Sequence, residues 1–304
     1  MKTCLQMTFA VLVAFLSASG SAAPQTPNVV SSEPRVEVEW LGGATMLLRF
    51  DGTTILTDPA FGEGAAAFTM LDPNASARAD RALHQVAHRR LTPFPGIKVA
   101  EVNYTLVSHL HEDHFDQKAE ASMPKTLSVV IPPADAKRLE EKKFIAGRSL
   151  DWGETLRINT SNGQIEISAL PAEHSPNPLV SGQLGRGNGY WLTFIKGGWQ
   201  RSLYWTGDTF PTARVIAAVQ AKGRPDLMIG HVGGVGAGGM FGKISMGGAE
   251  LRVLADQVKP ATVLPIHHST YALYQEPAWK VAEQFSGSPY RFNLLSEGSV
   301  LVLH

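Results

Sequence analysis

The 304-residue sequence holds one cysteine, Cys4. With no second thiol there is no intrachain disulfide, and beyond residue 4 a cation can be held only by nitrogen and oxygen. An oxidising compartment therefore poses no pairing problem for the fold. An excess of one charge is missing too, since Lys plus Arg and Asp plus Glu both number 27. That balance excludes the basic surplus with which nucleic-acid binders grip phosphates, and it leaves a small molecule as the expected partner. Composition carries no reading of oligomeric state.

No apolar run is long enough to span a membrane. The longest, Phe9 to Leu16, follows Lys2 and precedes small residues from Ser17 to Ala23. A positive start, a short apolar stretch and a small-residue exit predict a secretory signal over residues 1–23, with cleavage after Ala22 or Ala23. Cys4 lies ahead of the apolar run, whereas a lipid-attachment cysteine would follow it. Residues 24–34, rich in Pro, Ser, Gln and Asn, read as a flexible leader. Residues 35–304 read as one domain, exported to the periplasm, with no stable membrane span once the signal is removed.

Alternation at Val36, Val38 and Trp40 predicts a half-buried strand. Residues 46–50 and 54–57, joined at Asp51-Gly52, predict a hairpin that ends at Asp58-Pro59. Residues 60–97 read as loops with short helices around a mouth. Further strands are expected at 104–107, 128–131, 164–167, 190–194, 202–205, 227–229, 261–264 and 299–303. Helical patterns fall near 134–144, 211–221, 247–257 and 277–285. Strand blocks mixed with a few helices predict an α/β fold of packed sheets covered by helices.

The chemistry concentrates in Ser108-His109-Leu110-His111-Glu112-Asp113-His114, directly after a strand. His109 and His111 are two apart, so in extended backbone they project to the same side. Asp113 and His114 are consecutive and point differently, which suits two neighbouring ions better than one. Neutral imidazole and carboxylate suit zinc, manganese or iron, and zinc is expected on base rates. Other ligand types follow strands at His174, Asp208 and His267. Singly each is weak, because an Asp after a strand is usually a turn or a helix cap. Together they place ligand types at three strand ends, the way sheets assemble one site on a shared edge.

This order resembles the metallo-β-lactamase superfamily: a hairpin ending in Asp, His-x-His-x-Asp-His, a lone His, Gly-Asp and a final His, over residues 36–304. The resemblance implies a four-layer αβ/βα sandwich with the site at one edge of two packed sheets. It also implies two divalent metal ions. His109, His111 and His174 would hold one, Asp113, His114 and His267 the other, with Asp208 bridging and Asp58 as a brace. Trp40-Leu41-Gly42-Gly43-Ala44 and Pro265-Ile266-His267-His268-Ser269-Thr270-Tyr271 are similar to motifs of the branch with ascorbate-6-phosphate lactonases and N-acyl-phosphatidylethanolamine phospholipases D. Gly43 stands where that branch has His, and His268-Ser269 where it has an aromatic-Gly pair. Gly207-Asp208 departs from true metallo-β-lactamases, which lack the bridging aspartate. His267 follows Asp208 too closely for the inserted domain of RNA-processing members.

The implied reaction is attack by a metal-bridging hydroxide on an ester, lactone or phosphodiester. Asp113 orients the nucleophile, and His231 and His268 are the candidates to protonate the leaving group. The glycine stretch from Gly230 to Gly239 reads as a flexible loop, and the aromatics of 191–205 read as core. An iron-dependent oxidoreductase and a metal binder without catalysis remain the alternative classes.

Overall fold

The computed structural model describes residues 33–75 and 84–304. The expected signal and nearly all of the leader lie outside the described residues. The chain opens with a meander: β1 (Val36–Gly42), β2 (Thr45–Phe50) and β3 (Thr53–Thr57). The β2–β3 turn places Asp51 at φ 46° and Gly52 at φ 80°, the pair of positive φ values that matches the twist of a two-residue hairpin.

A small hairpin follows, β4 (Phe68–Leu71) with β5 (Gln85–His88). It corrects the expectation of short helices across 60–97, where the described residues hold one single-turn 3-10 segment, Gly64–Ala66, a second, Val99–Glu101, falling just beyond. Then come β6 (Tyr104–Leu106), α1 (Gln117–Ser122), β7 (Ser128–Ile131), α2 (Ala136–Glu141) and β8 (Gly147–Ser149). The second half runs β9 (Thr155–Asn159), β10 (Gln164–Ala172), α3 (Pro178–Leu184), β11 (Gly187–Lys196) and β12 (Trp199–Trp205). It closes with α4 (Ala213–Lys222), β13 (Leu227–His231), α5 (Gly248–Val258), β14 (Thr262–Ile266), α6 (Ala278–Phe285), β15 (Arg291–Phe292) and β16 (Val300–Leu303).

Two seven-stranded sheets result, in the orders β16-β1-β2-β3-β6-β7-β8 and β15-β14-β13-β12-β11-β10-β9. Each combines an antiparallel run with a parallel one. The parallel strands β13 and β14 are buried throughout, as expected of strands covered on both faces. Period-two alternation divides their side chains. Leu227, Ile229, Leu264 and Ile266 face the first sheet's Val38, Met46, Leu48 and Ile55 in the central core. Met228 and Val263 turn outward to Val215, Val219, Leu251, Leu254 and Val281 of α4, α5 and α6. On the far side Leu56, Val129 and Ile131 pack against Ala119 of α1 and Leu139 of α2. Each such aliphatic side chain contributes about 1.5–3 kcal/mol on burial. The layers are helix, sheet, sheet, helix: the αβ/βα sandwich.

This arrangement brings chain segments to one edge. β3, β6, β10, β12, β13 and β14 are each followed, at their C-terminal ends, by one of the residues singled out above. Open α/β sheets bind ligands beyond such carboxyl ends.

Candidate metal centre

The loop from Ser108 to Asp116 is pinned from both sheets. Tyr190 Oη donates to the Val107 carbonyl at 2.8 Å, and Asn188 N–H donates to the Ser108 carbonyl at 2.9 Å. From the helix side, Asp135 accepts from Leu110 N–H at 2.9 Å and Arg138 donates to the Leu110 carbonyl at 2.7 Å. At its end Asp116 caps α1, accepting from Ala119 N–H at 2.7 Å and Gly62 N–H at 2.6 Å. The histidines thus sit on a fixed backbone, with little ordering entropy left to lose when a ligand binds.

Two groups converge there. His109, His111 and His174 form one, and His114, Asp208, His231 and His267 the other; within each, ligand atoms lie within 4.8 Å of one another. Asp113 joins the second group, its Oδ2 3.2 Å from His267 Nε2 and 3.8 Å from His114 Nε2. The groups share a wall, the His109 and His114 rings being 4.1 Å apart. Every metal-ligand candidate from the sequence is therefore gathered in one place.

Hydrogen bonds fix which nitrogen of each ring carries a proton. Ser108 Oγ has one proton, and it goes to Asp58 Oδ2 at 2.6 Å. Ser108 Oγ therefore accepts from His109 Nδ1–H at 3.0 Å, leaving the His109 Nε2 lone pair pointing inward. His111 gives its Nε2–H to the Leu184 carbonyl at 3.1 Å, so its Nδ1 is the free one, 2.9 Å from His109 Nε2. His114 donates from Nδ1 to Asp58 Oδ2 at 2.7 Å, and its buried Nε2 has no hydrogen-bond partner. His267 donates from Nδ1 to the Val232 carbonyl at 2.8 Å. Four rings thereby turn one nitrogen each to the interior, that of His267 meeting Asp113 Oδ2 at 3.2 Å, and His174 Nε2 faces them 3.1 Å from His109 Nε2. Carboxylate and carbonyl partners on the outward nitrogen are what orients imidazole ligands in metal sites. The donor set fits metal binding.

His231 differs. The indole N–H of Trp205 donates to its Nε2 at 2.6 Å, so the ring proton sits on Nδ1 and is given to Asp208 Oδ1 at 3.0 Å. Both nitrogens are engaged and the residue is fully buried. This geometry makes His231 a brace on Asp208, in place of the leaving-group donor expected from sequence. His268 is also displaced from that role. It packs on Trp40, ring centroids 4.9 Å apart, with Nδ1 3.0 Å from Ser269 Oγ. The separation arises because His267 and Ser269 adopt φ values of 64° and 62°, which turn consecutive side chains to different places.

A buried polar chain supports this bend. Arg90 donates to Glu297 at 2.6 Å and to the Leu41 carbonyl at 2.8 Å. Glu297 accepts from Thr270 Oγ1 at 2.6 Å, Thr270 Oγ1 accepts from Gly43 N–H at 2.7 Å, and the Gly43 carbonyl accepts from His267 N–H at 2.9 Å. A Cβ at Gly43 would lie 2.9 Å from Tyr271 Cε2 and 3.2 Å from Tyr274 Oη, so two tyrosines fill the space that a larger residue 43 would need. In the glycine stretch, Gly233 (φ 108°) approaches the His267 carbonyl so closely that a Cβ would stand 2.5 Å from it. That glycine seats the ligand loop and is more than a flexible link.

Electrostatics divides the groups. Burial, reinforced by His114, His111 and His174, pushes His109 well below the usual imidazole range. Burial with His111 pushes His174 down to about 3. His114 and His267 go the other way: burial alone would lower them, yet Asp208 and its neighbouring carboxylates outweigh it and raise both. The same pairs hold Asp208 well below the carboxylate range and Asp113 at about 2, against burial. Burial takes His231 to about 4 despite Asp208, consistent with a neutral ring.

A family model of the β-lactamase superfamily domain matches residues 53–268, from β3 to the final histidine pair. The chain belongs to the β-lactamase superfamily. Among relatives, it is 27% identical over 248 residues to a UPF0173 metal-dependent hydrolase of Anaeromyxobacter sp., covering 78% of this chain and 76% of that protein. It is 26% identical over 192 residues to the N-acyl-phosphatidylethanolamine-hydrolyzing phospholipase D 1 of Caenorhabditis elegans, covering 60% of this chain and 49% of that one. An isothiocyanate hydrolase from Delia radicum gut bacteria superposes with a TM-score of 0.70 at 20% identity, over 87% of this chain and 98% of the other. That likeness shows a shared fold; the chemistry of this chain has to be argued from its own site.

Sequence reasoning overlooked two participants. Trp205 was read as core, which its burial bears out, but its indole N–H also sets the His231 tautomer. Its position directly before Thr206-Gly207-Asp208 was the available signal. Ser108, beside the first histidine, couples Asp58 to His109, and adjacency was the clue.

Proposed function

We propose that the chain is an exported, dinuclear metal-dependent hydrolase that cleaves an ester, lactone or phosphodiester bond. The observation that carries the reading is the shared wall of two ligand groups whose outward nitrogens are held by the chain's own acceptors. His109, His111 and His174 would hold one cation, and Asp113, His114 and His267 the other, with Asp208 between them. Nitrogen and oxygen donors of this kind suit zinc, with manganese and iron as competitors. Two such cations, when bound, supply Lewis acidity and bring the pKa of a water from about 15.7 toward 7. The metal-dependent hydrolase among its relatives agrees with this chemistry, and export rests on the expected signal over 1–23.

The chain's residues do the remainder. Asp113, ionised at neutral pH, orients the attacking water and accepts its proton. The bond to the leaving oxygen then breaks, and the proton returns from Asp113 to that oxygen. Asp58 and Ser108 lock the orientation of His109 and His114, while His231 locks Asp208.

The purified chain is expected to carry two equivalents of metal and to turn over p-nitrophenyl butyrate, a lactone panel or bis-p-nitrophenyl phosphate. Activity should be lost on chelation and restored by zinc. Turnover untouched by a chelator would overturn the reading. Trp205→Phe should leave His231 Nε2 without its donor and weaken metal retention about 10- to 100-fold, as other outer partners of ligands do. Chelator competition measures this, and retention equal to the parent chain would reduce the Trp205–His231 contact to packing.

A further inference from the structure

The sandwich edge carries a second feature that the metal chemistry leaves unused. A cleft of about 390 Å³ opens beside the first ligand group, with Met70, Leu184, Met240, Phe241 and Ile244 in its wall and His111 at its inner end. Its volume lies in the range of small-molecule sites. The link to the metal group is direct: the Leu184 carbonyl holds His111 Nε2–H at 3.1 Å, while Leu184 itself lines the cleft. Met240 is half exposed at the rim, and unbranched thioethers adapt to varied apolar shapes. Next to His111, Glu112 contributes a carboxylate to the same wall, which disfavours an anionic occupant. Asp72 and Gln85 are the other polar residues of the lining, and the Glu112 carboxylate lies 4.0 Å from Arg138; the remaining wall offers methylene groups a place out of water.

We propose that the cleft takes the uncharged, apolar arm of a carboxylic ester or lactone whose carbonyl lies at the histidine cluster. This rests on the hydrolase reading and narrows it to acyl chemistry. Water adds to the carbonyl carbon and yields its proton to Asp113, the carbon–oxygen bond to the leaving oxygen breaks, and that oxygen takes the proton back, giving a carboxylic acid and an alcohol from an ester or a single hydroxy acid from a lactone. The acyl chain stays in the cleft until release.

The test uses zinc-loaded protein and p-nitrophenyl acetate, butyrate, hexanoate and octanoate. The expected kcat/KM rises about fourfold for each methylene buried, until the cleft is full. In Met240→Asp the increment per methylene should shrink toward unity for the longer esters and for the longer hydroxamates alike. Met240 is at the rim, so this variant should fold, and a thermal melt checks it. A binding series from acetohydroxamate to octanohydroxamate, followed by calorimetry, reads the same increment without turnover. A flat series with measurable ester hydrolysis overturns the cleft proposal and leaves the hydrolase standing. Rising hydroxamate affinity without ester turnover keeps the apolar subsite and overturns the ester assignment. Neither binding nor turnover by metal-loaded protein overturns both.

Discussion

Asp208→Asn should cost one of two metal equivalents and lower kcat/KM by about 10³-fold or more, the scale seen when a group stabilising transition-state charge is lost. The substitution keeps shape and removes charge. Asp208 is buried, its Oδ1 3.0 Å from His231 Nδ1 and 3.8 Å from His267 Nε2, its Oδ2 3.5 Å from His114 Nε2. It faces His114 and His267 of the second ligand group and has His231 as an outer partner. Asparagine offers one acceptor oxygen where the carboxylate offers two. Either His231 Nδ1–H or the cation must then go without. The metal-free chain should suffer as well, because His114 and His267 lose the charge that raises them, and breaking a buried pair costs about 3–5 kcal/mol. Elemental analysis and thermal melts separate these effects. A variant that kept two equivalents and a rate within a few-fold of the parent chain would remove Asp208 from the centre.

Much of that centre was legible in the sequence because its ligands follow strands. A hairpin pattern located β3, short apolar runs located β6, β10, β12, β13 and β14, the far end of β10 excepted, and ligand types stood at or just past the strand ends. The Asp51-Gly52 turn was readable for the same local reason. Elements without a periodic signal were missed, and so was β9, although its burial alternates strictly. β8 is exposed along its three residues and β15 is two residues long. α1 and α3 are short helices capped by Asp116 and Asn177. Roles that depend on a partner distant in sequence were less legible still. His231 and His268 both read as proton donors until Trp205 and Asp208 were seen to occupy both nitrogens of the first and the turn at residues 267–269 was seen to carry the second onto Trp40. The apolar cleft had no code at all. Its wall comes from the β4–β5 hairpin, the end of α3 and the Met240-Phe241 stretch, which meet only in the folded chain.

Acidification should strip the two cations one at a time, the second group's first. Metal binding requires free lone pairs, and protons compete for them. In the metal-free chain, His114 and His267 are raised above the ordinary imidazole value by Asp208 and its neighbours, against burial. Each must therefore release a proton to bind metal even near neutral pH, and affinity there falls by about tenfold per pH unit for each proton displaced. His109 and His174 are pushed down by burial and by neighbouring imidazoles, so those two rings are already neutral at pH 6 and protons compete with them only in stronger acid. Stepwise dialysis of loaded protein from pH 8 to 5 in a metal buffer should show one equivalent leaving first, and activity leaving with it. Stability has a matching sign. Because the folded values of His114 and His267 are raised, their stabilisation of the metal-free chain is complete below about 6.5 and is lost as pH rises through those folded values. The gain in melting temperature on adding metal should therefore grow from pH 6 to pH 8.5. Joint loss of both equivalents, or a gain that shrinks as pH rises, would mean that the carboxylates do not hold protons on the second group and that the two halves of the centre are electrostatically alike.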